Sequence, residues 1–266
     1  MPPLVLDAGS ARVVVDPEAG GRIVRLEVAG LGLIVPPEVD AHDHGIFPMA
    51  PWAGRVRDGA FQFDGESYQL PINAAPHAIH GTVHDRPWVV EDSDGTRAAL
   101  SVDFGPAWPF AGTAVQRIVL TPESLALEME VRAAESAMPV TCGWHPWWSR
   151  DLGRGEEVEV ELHADRMYRR DAEGIPSGEI LDIVPPPWDD CFTDLGSPLA
   201  VLRWSGAATV TIETDCACAV VFTEPTHAVC VEPQSGPPDA FNLDPHIVTP
   251  DTPLVVHMTV RWELDG

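Results

Sequence analysis

Residues Ala11–Val35 read ARVVVDPEAGGRIVRLEVAGLGLIV, and this stretch decides the fold. Three runs rich in Val, Ile and Leu (ARVVVD, GRIVRLEV and GLGLIV) are cut apart by Gly-Gly and Ala-Gly. Short alternating runs ended by glycine are the mark of strands and hairpins, and they are too brief for ordinary helices. The same texture returns in RAALSVDF, TAVQRIVL, LALEMEV, EEVEVEL, AVLRW, ATVTIET, CAVVFT, AVCVEP and PLVVHMTVRWEL. An all-β chain with so many strands closes into a sandwich or barrel whose rim loops carry function. The 27 prolines are expected in connections and at sheet edges, not in central strands. No fixed-period repeat or linker-like tract divides residues 1–266, so one domain is expected.

The formal charge of −25 repels polyanions, which makes nucleic acid and anionic membrane surfaces poor partners. All 16 basic residues are arginine. The lack of lysine removes Schiff-base chemistry, covalent pyridoxal phosphate and the lysine of a phosphate-binding loop. Cys142, Cys191, Cys216, Cys218 and Cys230 form no CxxC pair, so neither a disulfide framework nor a four-cysteine zinc site is indicated. The start, MPPLVLDAGS, lacks the basic and apolar regions of a secretory signal, and no apolar run reaches spanning length. A soluble cytoplasmic protein is expected.

Chemistry concentrates in a few irregular stretches. In VTCGWHPWWS, Val140–Ser149, Pro146 restrains the backbone after His145 and biases His145 toward an extended conformation. The imidazole should therefore sit on a rigid strand end, with Trp144, Trp147 and Trp148 packed around it. An indole covers the C–H face of a pyranose, and histidine gives or takes a proton near neutral pH. A lone histidine in such a turn is nevertheless more often a hydrogen-bonded core residue, so other blocks must speak.

Pro48–Asp58 is rich in Pro and Gly, lets a ligand approach the backbone, and holds Arg55, whose guanidinium suits paired hydrogen bonds. AFQFDGESYQL reads as a hairpin turning at Asp64-Gly65. His80, next to Gly81, can point into a cleft that Trp88 helps to line. His42 with His44, and His77 with His80 and His84, invite a metal reading, but the first pair lacks further ligands and Gly81 and the prolines break up the second set. In PPPWDDCFTDL, an irregular loop, one of Asp189 and Asp190 is expected to meet a ligand. In HAVCVEPQSGPPDAFN, an apolar strand should deliver Glu232 at its rim as a general base, while Asp239 and Asn242 serve the following turn.

Taken in order, PWAGRVRDGAFQFDGESYQL, IHG, GWHPWW, WDDCF and VEPQSGPPDAFN resemble the aldose 1-epimerases, the galactose mutarotase-like family, over about Pro48–Asn242. The resemblance implies a large antiparallel β-sandwich with an open sugar cleft. It implies His145 as the acid protonating the ring oxygen, Glu232 as the base at the C1 hydroxyl, and His80 as a hydrogen-bonding partner that polarises the reacting oxygens. Arg55 and Asp189 match the substrate-binding pair; Asp189 is preferred to Asp190 because the motif places an aspartate three residues before an aromatic, here Phe192. Gly54 stands where the family usually has asparagine, and Trp147 where tyrosine or phenylalanine is common.

The expected reaction is exchange of hexose anomers with one acid and one base, and with no cofactor or metal. Alternatives within reach of the sequence are an epimerase for hexose 6-phosphates or other modified hexoses, supported if Arg57, Arg86 or Arg150 reach the cleft, a glycoside hydrolase using Asp189 and Glu232, and a non-catalytic sugar-binding module.

Overall fold

The computed structural model describes residues 2–265. Its described residues form twenty-three strands, one short 3-10 turn and one four-residue helix. The strands anticipated from alternation are present, from Ala11–Asp16 and Arg22–Val28 to the last, Leu254–Leu264. All inter-strand registers are antiparallel. One run of neighbours goes Leu4–Ala8, Ala11–Asp16, Arg22–Val28, Ile46–Met49, Gly143–Ser149, Ala228–Gln234, Cys218–Phe222 and the start of Asp189–Trp204. A second continues from the end of Asp189–Trp204 through Ala208–Thr214, Leu254–Leu264, Ser124–Ala133, Gly112–Thr121, Arg97–Asp103 and Val89–Ser93.

The sixteen-residue strand Asp189–Trp204 thus belongs to both layers of a large antiparallel β-sandwich. Its first residues pair with one layer and its last with the other, because a strand this long carries enough twist to pass between them. The layers bury a common core that includes Leu6, Leu26, Ile118, Met129, Trp144, Trp148, Trp204 and Val260.

Trp144, Trp148 and Trp204 are fully buried. Each such indole removes roughly 150–250 Å² from water, worth on the order of 4–6 kcal/mol as an upper bound. Trp144 donates to Gln116 Oε1 at 2.9 Å, Gln116 donates to the Gly21 carbonyl at 2.9 Å, and Trp204 donates to the Ser149 carbonyl at 3.0 Å. These bonds tie the two layers through groups that burial would otherwise leave unsatisfied. Trp108 packs against Phe61 and Phe241, and the expected hairpin turns at Asp64-Gly65 between Ala60–Phe63 and Glu66–Gln69.

Four local expectations are corrected. Trp144 and Trp148 face the core, since side chains alternate along a strand and put His145 and Trp147 on the other face. Trp88 is buried, donates to the Val83 carbonyl and does not border the cavity that His80 lines. Pro48, Pro146 and Pro233 lie inside strands. Asp189 and Asp190 open a regular strand instead of sitting in an irregular loop.

Candidate active site

Strands Gly143–Ser149 and Ala228–Gln234 pair Gly143 with Gln234 and Trp147 with Cys230. That register places His145 opposite Glu232, with no ladder pairing recorded between the two ends. Pro146 and Pro233 sit beside the dyad and have no N–H to give, which accounts for the gap. Cross-strand partners on one face lie close together, and His145 Nε2 is 3.3 Å from Glu232 Oε1. Gly143 makes the approach feasible: a Cβ there would lie 2.1 Å from the Pro233 carbonyl oxygen. Both residues are therefore mid-strand, and Glu232, 3 % exposed, is on the floor of a cleft and not at a strand rim.

His145 is held between two rings, Phe47 at 4.7 Å and Trp147 at 4.8 Å, both stacked on it. Burial pushes its pKa down to about 3, with Arg22 and His84 adding to the effect. Burial raises the Glu232 carboxyl well above its ordinary value, and the nearby Asp189 charge raises it further; Gln234 and Arg55 oppose this. The directions agree on one state, in which the dyad is neutral with its proton on the carboxyl. Gln234 Nε2 donates to Glu232 Oε2 at 3.2 Å, leaving Oε1 to face the imidazole. Gln234 lies two residues beyond Glu232 on the same strand face, a signal legible in the sequence that went unused.

Around the dyad lies a cavity of about 240 Å³ bordered by Arg55, His80, His145, Trp147, Asp189, Phe222, Glu232 and Gln234 among others. All five residues singled out from the sequence border it. Arg55 and Ile79 pair in a two-strand bridge, which sets Arg55 beside His80. His80 adopts φ +59°, an uncommon conformation for a non-glycine residue, and burial holds its imidazole neutral. The Arg55 guanidinium has no hydrogen bond or ion pair among the described residues, yet it lies close enough to influence His80, Asp189 and Glu232. Its carbonyl accepts from the Asp239 N–H at 2.6 Å, while Asp239 Oδ1 accepts from Arg57 N and from Asn242 Nδ2. Asp239 and Asn242 thus brace the arginine segment. Gly54 has φ +66°, and a Cβ there would meet Pro238 Cγ at 2.6 Å, so this chain admits glycine where a larger side chain would collide.

Asp189 pairs across the strands with Phe222, whereas Asp190 pairs with the core residue Val221. Both carboxylates border the cavity. Arg170 Nη1 is 3.0 Å from Asp189 Oδ2 and Arg170 Nε is 3.6 Å from Asp190 Oδ1, a pairing the sequence had no local way to reveal. The other arginines of interest are engaged elsewhere: Arg57 with Asp171 and Glu173, Arg86 with Asp103, and Arg150 with the carbonyls of Thr223, Pro225 and Ala228. None of the three borders the cavity.

His77 Nδ1 accepts from the Asp58 N–H at 3.1 Å instead of joining His80 and His84. Among the described residues, one group of three potential metal ligands converges: His145, Cys230 and Glu232, with ligand atoms within 4.8 Å. Burial keeps the Cys230 thiol protonated, and the group coincides with the acid/base pair. No described helix is long and apolar enough to cross a membrane.

A sequence model described as aldose 1-epimerase matches residues 3–259. The uncharacterized protein YihR of Escherichia coli K12 is 25% identical over 248 residues, covering 84% of this chain and 80% of that protein. Galactose mutarotase of Pongo abelii is 29% identical over 147 residues, 52% of this chain and 42% of the mutarotase, so that match spans less than half of the relative. A galactose mutarotase-like protein from Clostridium acetobutylicum superposes with a TM-score of 0.87 at 19% identity, over 98% of this chain and 95% of that one, a likeness of fold.

Proposed function

Because the chain belongs to the aldose 1-epimerase family, we propose that it interconverts the α and β anomers of a neutral hexose by general acid/base ring opening, with His145 and Glu232 as the reacting pair. The observation that carries this reading is their juxtaposition: two buried titratable groups, 3.3 Å apart, opposite each other on the floor of a cavity. The exchange needs one proton removed from O1 and one delivered to O5. Glu232 takes the first and His145 gives the second, so the dyad must carry one proton in total. A sugar hydroxyl on the carboxylate and the nearby Arg55 cation favour the charge-separated arrangement that burial disfavours. The open aldehyde rotates about C1–C2, and the same two groups act in reverse to close the ring. Arg55 binds ring or hydroxyl oxygens, Asp189 accepts a hydroxyl, and neutral His80 hydrogen-bonds the reacting oxygens without adding charge.

Charge and size support a neutral monosaccharide. Asp43, Asp189, Asp190 and Glu232 border the cavity against Arg55 and Arg170, and Arg170 is already paired. A phosphate would meet no surplus of cations. The volume lies below the roughly 300–1,000 Å³ of pockets for drug-sized ligands. A glycosidase reading is weaker, since the group within reach of Glu232 is an imidazole and Asp189 is held by an arginine. A seventeen-stranded sheet packed around a main core that draws residues from both ends of the chain supports a single domain, and five free, buried cysteines suit a reducing cytoplasm.

The test is anomer exchange, followed by polarimetry or NMR, on glucose, galactose and their 6-phosphates. The wild type should accelerate a neutral sugar more than its phosphate. Glu232→Gln and His145→Asn should each lose roughly 10²–10⁴-fold of the rate with the circular dichroism spectrum unchanged. A variant retaining wild-type rate would remove that residue from its role, and a wild type that accelerates no sugar would refute the reading.

A further inference from the structure

Asp43 borders the cavity from a loop that precedes the strand Ile46–Met49, a few residues ahead of the first block that carries the family resemblance. Its carboxylate makes no hydrogen bond or ion pair among the described residues, yet its backbone is firmly tied. Asp40 Oδ1 accepts from the N–H groups of His42 and Asp43 at 2.8 and 2.9 Å. The carbonyls on either side of Asp43, those of His42 and His44, accept from Arg22 Nη1 at 3.3 and 2.7 Å. Arg22 is 9 % exposed, and its guanidinium carbon lies 4.6 Å from the centre of the Phe47 ring, which stacks on His145. A buried cation is costly unless it is hydrogen-bonded, and Arg22 meets that cost in part on these two carbonyls. Here it locks the peptides flanking Asp43 to the ring beneath the catalytic imidazole.

The cavity floor gives this placement a meaning. Asp189 pairs with Phe222, Phe222 with Cys230, and Cys230 with Trp147 in one cross-strand row. The Trp147 N–H then donates to the Gly45 carbonyl at 2.8 Å, which brings the Asp43 loop to the far end of that row. The floor is therefore aromatic in the middle, with Phe222 and Trp147 bordering the cavity, and carries a carboxylate beyond each end. A pyranose can rest an apolar face on such rings while each end offers a strong acceptor to a hydroxyl.

We propose that Asp43 is a specificity-determining ligand for a hydroxyl of a neutral hexopyranose, set at the opposite end of the floor from Asp189, and that Arg22 is the positioning residue that aims it. The proposal rests on the epimerase reading above. An unpaired carboxylate accepts a hydroxyl and rejects an anion, so Asp43 selects for a free hydroxyl at its end of the ring and against a sugar carrying a phosphate or carboxylate there.

The experiment measures kcat and KM of anomer exchange for the wild type, Asp43→Ala and Arg22→Lys on glucose, galactose and their monodeoxy derivatives. Asp43→Ala should raise KM for the preferred sugar roughly tenfold or more while kcat changes less than about threefold. The deoxy sugar lacking the contacted hydroxyl should bind both proteins alike. Arg22→Lys keeps a cation but loses the fork, and it should reproduce part of the KM increase and the same loss of sugar discrimination. Equal KM values for wild type and Asp43→Ala on every sugar, in a protein that does accelerate exchange, would overturn the role of Asp43 and leave the epimerase reading standing. A fall in kcat alone in Arg22→Lys would overturn the positioning role. No acceleration by the wild type would remove both readings together.

Discussion

A carboxyl and an imidazole buried 3.3 Å apart hold a single proton over a wide pH range, because burial penalises the charged form of each. The His145 pKa is lowered from 6.5 to about 3, so the pair gains a second proton only in strong acid. The Glu232 pKa is raised, so the shared proton is lost at a higher pH than an ordinary glutamate would lose it. Activity that depends on one proton in the dyad should therefore persist above pH 4.5, where an ordinary glutamate would already have lost its proton, and fall as the pH rises further, in a profile of kcat/KM against pH. An acid limb near 6.5 would show instead that His145 titrates as a free imidazole. Since the Asp189 charge raises the Glu232 pKa, Asp189→Asn should move the alkaline limb to lower pH.

At the scale of elements, the site depends on how closely two strands approach. Gly143 faces the Pro233 carbonyl where a Cβ would sit at 2.1 Å, and the same contact fixes the separation of His145 and Glu232. Gly143→Ala must push the strands apart, and it should cost about 1–3 kcal/mol or more in denaturant unfolding together with a loss of exchange activity. Gly32→Ala, where a Cβ meets nothing within 4 Å, should change stability by less than about 0.5 kcal/mol and serves as the control. The local reading of these strands was sound where alternation was plain, as at Ala11–Asp16, and failed where proline intervened. Pro48, Pro146 and Pro233 read as breaks, yet all three lie inside paired strands, and Pro146 and Pro233 interrupt the ladder between their two strands and thereby frame the dyad.

For the whole molecule, both layers close over a main core with a smaller apolar cluster beside it, and the five cysteines are all free and buried. An aromatic disulfide reagent should modify fewer than about one thiol per native chain and all five after denaturation; rapid modification of the native protein would contradict the burial. The sequence by itself determined the strand class, because a period of two and glycine-bounded runs are local properties. The ordered blocks also carried His80, His145, Glu232, Arg55 and Asp189, residues the structure brings to one cavity. Only the tertiary structure decided which face of each strand turns inward, sending Trp144 and Trp148 to the core and Trp147 to the cavity. It alone set His145 opposite Glu232, tied Arg170 to Asp189, and hung Asp43 on Arg22. Alternation gives two faces without saying which is buried, and a register between distant strands arises from packing that no local pattern encodes.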